Sequence, residues 1–461
     1  MGGAAIMAAV FAYGFFCWIY KTGVINLDEY TKRGKVLLGI LVLFGVPTLW
    51  VYCRYGGAFS YGDSVNWESA GRLTSNLLNE AVLDDGQALY RVWSNKKRLD
   101  AVHRIDLSKD AIQKHIANLG GNSEAGTIDG AFERKTKGAK IKTAPNNVIV
   151  ILGESIGSWP LAAPYDKMNL LPNYKKMAND VHGSSVESMI PQGDGTITSI
   201  NGVLTGLYGD SLYENHQPIT FKEKYESGLG YIFKKLGYRT IFWYGGYGTW
   251  QNIKNFVLAQ SFDDFYCADE FGDNQSGSWG CDDDILLKKV NNFIAAHNKE
   301  KILHVILTTN NHPPYPFPVD KLGFRRNKVR ENLPEEITYS EQNLTELGHI
   351  WYTDKVVGEF LRTAQALADT ALFVLSGDHS ERFSFAKEVP TRTTSAIPCI
   401  FYGQGVEKNL FSASSYGCHA QLPGTLAELL APAGFTYSAI LPNMFENQDP
   451  VFATNLYAYK D

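Results

Sequence analysis

Two short apolar runs, each stopping abruptly at a carboxylate, constrain this chain more than any other feature. Asn146-Asn147-Val148-Ile149-Val150-Ile151-Leu152-Gly153-Glu154-Ser155 is an apolar strand that ends in Glu, and Ala371-Leu372-Phe373-Val374-Leu375-Ser376-Gly377-Asp378-His379-Ser380 is another that ends in Asp-His. In an open parallel sheet, residues just past the carboxyl ends of the strands converge on one edge, where ligands bind. Glu154, Asp378 and His379 are therefore candidates to surround one divalent cation. Further strands at Arg239 to Tyr244, Ile302 to Leu307 and Ile397 to Tyr402 alternate with helical stretches at Leu170 to Asn179, Lys222 to Leu236, Asp282 to His297, Leu344 to Ala368 and Leu422 to Leu430. That alternation predicts an α/β fold with a largely parallel sheet sandwiched by helices.

Between the two runs lies Gly193-Asp194-Gly195-Thr196-Ile197-Thr198-Ser199-Ile200-Asn201-Gly202-Val203-Leu204-Thr205-Gly206. Glycines open it, small hydroxyl residues follow, and Ile197, Ile200, Val203 and Leu204 are spaced for one face of a helix. A hydroxyl thus sits at a helix N-terminus, whose free N–H groups attract a phosphate or sulfate and steady an alkoxide developing on Thr196. The plainer reading makes Thr196 or Thr198 an N-cap. Thr196, Thr198 and Ser199 all compete for the role of nucleophile.

The order strand-Gly-Glu-Ser, Gly-x-Gly-Thr, Asn-His-Pro-Pro-Tyr and Ser-Gly-Asp-His, from Asn146 to Ala433, resembles the sulfatase-like branch of the alkaline phosphatase superfamily. Within it the chain looks like the membrane-anchored lipoteichoic acid synthase and phosphoglycerol transferase group. Sulfatases resembling this chain place the nucleophile nine residues before the Thr of a closing Leu-Thr-Gly. Counting back from Thr205 gives Thr196, with Thr198 as the fallback. The resemblance implies a metal site of Glu154, Thr196, Asp378 and His379. That mostly oxygen set favours Mn²⁺, with Mg²⁺ or Zn²⁺ as alternatives. True sulfatases need a Cys/Ser-x-Pro-x-Arg frame that Thr196-Ile197-Thr198-Ser199-Ile200 lacks, so sulfate ester hydrolysis is disfavoured.

His312, in Asn310-Asn311-His312-Pro313-Pro314-Tyr315 after the strand at Ile302 to Leu307, is by resemblance the substrate histidine. Its position suits binding the phosphate or protonating the leaving alkoxide. Trp250 aligns with a tryptophan lining the glycerophosphate pocket of lipoteichoic acid synthases, but Asn252 stands where those enzymes carry an arginine. Trp279-Gly280-Cys281-Asp282-Asp283 resembles an element preceding a helix in the group, with an ordinary N-cap as the other reading. His304 reads as a core histidine, and His419 receives no role.

Toward the N-terminus, Met1 to Tyr20 and Val36 to Cys53 are apolar runs of about the ~20 residues that span a bilayer core. The first has no basic region before it and no cleavage site after it, unlike a signal peptide. Lys21, Lys32, Arg33 and Lys35 between them place the connecting loop in the cytoplasm and the C-terminal part outside, by the positive-inside rule. Three segments are expected: a membrane anchor with two transmembrane helices at 1–54, juxtamembrane helices and a linker at 55–145, and an extracytoplasmic catalytic domain at 146–461. Helical spacing is read from Trp67 to Leu99 and from Ala111 to Leu119, followed by a Gly-rich linker. The basic run Arg134 to Lys142 reads as a solvated linker face, or a contact to anionic lipid.

A net charge of −5 over 461 residues shows no basic excess and argues against nucleic acid as a partner. Outside the cytoplasm, disulfides Cys267–Cys281 and Cys399–Cys418 are one expectation, free buried thiols the other. The function expected is a membrane-anchored, metal-dependent phosphotransferase. It takes a headgroup from a phospholipid donor, glycerol phosphate favoured, through a covalent threonine intermediate to an envelope glycan or polymer. The rivals are a phosphoethanolamine transferase, a phosphodiesterase or sulfuric ester hydrolase of the same fold, and a catalytically inert scaffold.

Overall fold

The computed structural model describes residues 13–14, 17, 21, 31–54, 59, 81, 85–102, 107–209, 213–271, 279–313, 315–368, 370–380 and 382–446. The chain divides into two compact units, Met1–Lys96 and Lys97–Asp461.

In the first unit, Lys32–Ile40 and Val46–Arg54 are α-helical, joined by a π turn at Leu41–Gly45. Pro47 has no N–H for the turn below it, and the π turn falls where that bond is missing. Thr31 caps the start, its Oγ1 accepting from the Gly34 N–H at 3.2 Å. Val36, Leu37, Leu41, Phe44, Leu49 and Trp50 are all exposed. Lys32–Tyr52, 21 residues, is the one helix among the described residues long and apolar enough to cross a membrane. The earlier run expected at residues 1–20 lies outside the described residues save 13, 14 and 17. Of the juxtamembrane stretch, Asp85–Val102 is helical, and 60–80 lies outside the described residues.

The strands of the second unit are β1 (Glu133–Lys135), β2 (Asn147–Gly153), β3 (Gly183–Ser185), β4 (Ser188–Ile190), β5 (Arg239–Tyr244), β6 (Asp264–Cys267), β7 (Ile302–Leu307), β8 (Ala371–Gly377), β9 (Cys399–Gly403), β10 (Tyr416–Cys418) and β11 (Thr436–Ser438). Seven form the main sheet in the order β3-β9-β8-β2-β7-β5-β6. β2 runs parallel to β7 and β8, and β5 parallel to β7 and β6, whereas β9 is antiparallel to β8 and β3. Among the described residues, the helices that flank it include α1 (Pro172–Asn179), α2 (Thr196–Thr205), α3 (Leu229–Lys235), α4 (Asp283–Ala296), α5 (Glu341–Leu367) and α6 (Leu422–Leu430).

Alternate residues along the strands feed two apolar layers. Ile149, Ile151, Trp243, Ile306, Phe373 and Leu375 pack with side chains of α1, α4 and α5 on one face. Val148, Val150, Leu152, Phe242, Val305 and Val374 pack with α2, α3 and α6 on the other. Each fully buried Val, Ile or Leu contributes about 1.5–3 kcal/mol, so the central strand β2, buried along its whole length, anchors the edge it delivers. Its pairings Leu152↔Leu307 and Gly153↔Gly377 bring Glu154, Thr308 and Asp378 out together, one step past the sheet.

Several local expectations are revised. The helix predicted from Lys222 starts only at Leu229, because Gly228 is extended and the Ser227 hydroxyl donates to the Thr205 carbonyl, tying the chain to the end of α2. The basic run belongs to the folded unit: β1 pairs antiparallel with β11, Arg134 Nε donates to the Ala439 carbonyl at 2.9 Å, and Ile141 is buried. Cys267, Cys281, Cys399 and Cys418 are free, buried thiols, not disulfides. Cys267 belongs to one apolar layer and Cys281 to the other, so the sheet stands between them. Cys399 faces Ser376 within the sheet, while Cys418 pairs with Ile190 on the small β4–β10 ladder. Burial pushes the thiols of Cys267, Cys399 and Cys418 up to about 12.

Candidate metal and nucleophile site

Helix α2 begins at Thr196 after an extended Gly195, and no side chain caps it, which leaves its first N–H groups directed out of the helix end. Ile200, Val203 and Leu204 are fully buried and fix it to the sheet. It stops at Gly206, left-handed at φ 68°, where a Cβ would lie 2.4 Å from the Ser227 carbonyl oxygen. Thr196 Oγ1 lies 3.3 Å from Glu154 Oε2 as a hydrogen-bond donor. The competing hydroxyls are otherwise engaged: Thr198 Oγ1 donates to the Gly195 carbonyl at 2.6 Å, and Ser199 Oγ to the Asp378 carbonyl at 2.5 Å. A Cβ at Gly193 would meet Thr198 Oγ1 at 2.3 Å, so that loop closes against Thr198 and leaves Thr196 facing the carboxylates.

Glu154, Asp378 and His379 each offer one ligand atom, and these atoms lie within 4.8 Å of one another. Their exposures are 4%, 0% and 2%, so water does little to screen the two carboxylates from each other. Burial, then the charge of Glu154, raises the pKa of Asp378. Asp378 Oδ2 and both ring nitrogens of His379 are buried without a hydrogen-bond partner. Nε2 of His379 stands 3.7 Å from both Glu154 Oε1 and Asp378 Oδ2. Unpartnered buried polar atoms cost roughly 1–3 kcal/mol each, and here they converge. A divalent cation between the carboxylates would satisfy Asp378 Oδ2 and His379 Nε2 together, and the donor set of oxygens and one imidazole fits Mn²⁺, Mg²⁺ or Zn²⁺.

Neighbouring side chains organise this set. Ser155, left-handed at φ 53°, donates its N–H to Asp378 Oδ1 at 2.7 Å and its hydroxyl to Glu154 Oε1 at 2.8 Å. Arg382 Nε donates to Ser155 Oγ at 2.7 Å and stands 3.3 Å from Glu154 Oε1. Thr308 Oγ1 accepts from the Glu154 N–H at 2.9 Å, and Asn311 Nδ2 donates to the Ser155 carbonyl at 3.2 Å. His419 is a strut: its Nδ1 accepts from the Gln192 N–H at 3.1 Å and its Nε2 lies 2.9 Å from the Gly377 carbonyl. That pattern assigns the proton to Nε2, and burial holds the imidazole near a pKa of about 4.

His312 is half-buried, with Nδ1 2.8 Å from the Pro313 carbonyl and its ring 3.8 Å, centroid to centroid, from that of Trp279. Trp279 Nε1 donates to the same carbonyl at 2.7 Å. Burial, followed by the Arg382 guanidinium, holds the His312 pKa down at about 3, so the imidazole is neutral at neutral pH. With Nδ1–H on the carbonyl, Nε2 carries the lone pair. Asp282 and Asp283 make no side-chain cap on α4. Asp283 instead accepts from the Thr309 N–H at 2.9 Å and the Asn310 N–H at 3.3 Å, latching the turn that carries His312. Trp250 stands against Tyr244, centroids 5.9 Å apart. Burial and then the charges of Glu154, Cys267 and Asp378 push the pKa of Tyr244 up. His304 is a satisfied core imidazole, its Nδ1 accepting from Trp243 Nε1 at 3.1 Å and its Nε2 3.2 Å from Asn147 Oδ1.

Residues 146–431 match the family described as Sulfatase. Among solved structures, a protein in the alkaline phosphatase superfamily from Vibrio parahaemolyticus is 19% identical, with 73% of this chain and 77% of that chain covered at a TM-score of 0.53. The lipoteichoic acid synthase LtaP from Listeria monocytogenes is 16% identical, with 72% and 81% covered at 0.52. At these identities the likeness is one of fold: a mixed α/β sheet flanked by helices.

Proposed function

The chain belongs to the sulfatase family, and from that premise we propose that it is a membrane-anchored phosphotransferase that moves a phospholipid headgroup through Thr196. The donor headgroup is glycerol phosphate, as on phosphatidylglycerol, and the acceptor is a hydroxyl of an envelope glycan or polymer. One observation carries the reading: a hydroxyl at a helix N-terminus that donates, at 3.3 Å, to a carboxylate of a buried Glu/Asp/His set whose Asp378 Oδ2 and His379 Nε2 have no partners.

Glu154, Asp378, His379 and the Thr196 oxygen would hold a divalent cation that lowers the pKa of the hydroxyl and offsets charge on the phosphoryl oxygens. Thr196 Oγ1 attacks phosphorus, and the bond from phosphorus to the diacylglycerol oxygen breaks. His312 Nε2, bearing a lone pair in the free protein, takes up the hydroxyl proton and returns it to the departing oxygen. An acceptor hydroxyl then attacks the phosphothreonine ester, and the same transfer in reverse restores Thr196. The free N–H groups of α2 steady the phosphoryl oxygens in both steps. Lys32–Tyr52, anchored in a bilayer with the catalytic unit on its outer side, keeps a lipid donor at high effective concentration.

The test is transfer from phosphatidylglycerol in vesicles by the full chain and by Thr196→Ala. The variant is expected to keep its fold and lose on the order of 10³-fold or more in rate. Undiminished transfer by Thr196→Ala refutes the proposal. A Thr196 adduct with the mass of phosphoethanolamine would reassign the headgroup.

A further inference from the structure

We infer that Arg382 is the receptor for the substrate's anionic phosphoryl oxygens, binding them through the two terminal nitrogens of its guanidinium; this rests on the phosphotransferase reading above. Among the described residues, Arg382 is the one Lys or Arg with a nitrogen within ion-pair distance of Glu154, Asp378 or Glu154's partner Ser155. Its contacts there run through Nε alone, to Ser155 Oγ and Glu154 Oε1. Neither Nη group donates a hydrogen bond among the described residues. A fork held by its stem with two parallel N–H edges left over matches two oxygens of a phosphoryl group.

Position supports the same role. The Arg382 side chain is 31% exposed while that of Glu154 is 6% exposed, so Arg382 forms the open side of an otherwise sealed cluster. Its charge is felt at His312 and at Tyr315, so the guanidinium that touches Glu154 is also near the loop that carries His312. The next residue is clamped: Phe383 packs on Trp159 with centroids 5.1 Å apart, and Phe385 meets the same ring at 5.4 Å. Trp159 is itself buried. Charge balance points the same way. A dication neutralises Glu154 and Asp378, and an incoming phosphodiester then adds one negative charge that Arg382 offsets.

The experiment measures kcat and KM for bis(p-nitrophenyl) phosphate, and the Mn²⁺ dissociation constant, with the full chain in detergent and with Arg382→Gln and Arg382→Lys. Loss of charge-assisted hydrogen bonds to the diester should raise KM about 10- to 100-fold in Arg382→Gln. Arg382→Lys, a point charge without the fork, should recover part of that loss, and Mn²⁺ affinity should stay within about threefold of wild type. An unchanged KM in Arg382→Gln overturns the assignment. So does a parallel loss of Mn²⁺ affinity, which would make Arg382 a support for Glu154. A wild-type chain that turns over no phosphodiester overturns the functional reading itself and this inference with it.

Discussion

Replacing Asp378 by Asn separates the cation's contribution from the fold's own. Oδ1 of Asp378 accepts the N–H groups of Ser155 and His379, both at 2.7 Å, and Asn keeps that oxygen. Oδ2 has no partner, so converting it to an amide removes no hydrogen bond. What the substitution does remove is one of two carboxylates whose ligand atoms lie within 4.8 Å of each other. At an effective dielectric constant of about 20, that repulsion is on the order of 3 kcal/mol. In excess chelator, Asp378→Asn should therefore melt at or above the wild-type temperature. A cation at about 100 times its dissociation constant adds about 2.7 kcal/mol to the wild type, a shift of several degrees. The variant should not respond, so Mn²⁺ reverses the order of the two proteins. Differential scanning fluorimetry with EDTA or MnCl2 reads all four temperatures. A wild type indifferent to Mn²⁺, with Asp378→Asn well below it in EDTA, would refute the idea that these carboxylates are arranged for a cation.

Three further outcomes follow from the structure. Burial pushes the Asp283 carboxyl up to about 7, so the folded state holds a proton that the unfolded chain releases near pH 4; its stabilisation is full below that pH and lost as pH rises through 7. Asp283→Asn should thus match wild type in urea unfolding at pH 4 and exceed it at pH 8, and a constant difference across that range would contradict this. His304, held at about 3 by burial, works in the opposite sense: its stabilisation is present above pH 6.5 and is lost as pH falls toward 3, so His304→Gln should flatten the acid limb of the same unfolding curve. Cys267, Cys281, Cys399 and Cys418 should resist iodoacetamide in the native protein and all react in denaturant without reductant. A requirement for reductant would restore the disulfides.

Legibility in the sequence followed how local each feature is. Glu154 and Asp378-His379 stood out because a buried strand is a short uninterrupted apolar run, and what ends the run lies at the sheet edge. Thr196 stood out by glycines before it and an apolar stripe after it, but separating it from Thr198 and Ser199 required knowing where each hydroxyl's hydrogen bond goes. Arg382 was invisible because its meaning lies in Ser155 and Glu154, more than 220 residues away in the chain. The reversal of β9 was hidden for a related reason: Cys399–Gly403 has the same apolar composition as a parallel strand, and the connection from Gly377 to Cys399 is long enough to serve either direction. The thiols misled as candidate pairs because spacing in sequence does not reveal that a sheet lies between Cys267 and Cys281.

The most direct measurement is anomalous diffraction from crystals of the full chain grown with Mn²⁺. The account predicts one strong peak bonded to Glu154, Asp378, His379 and the Thr196 oxygen. A peak elsewhere, or one that leaves Thr196 out of coordination reach, would contradict it.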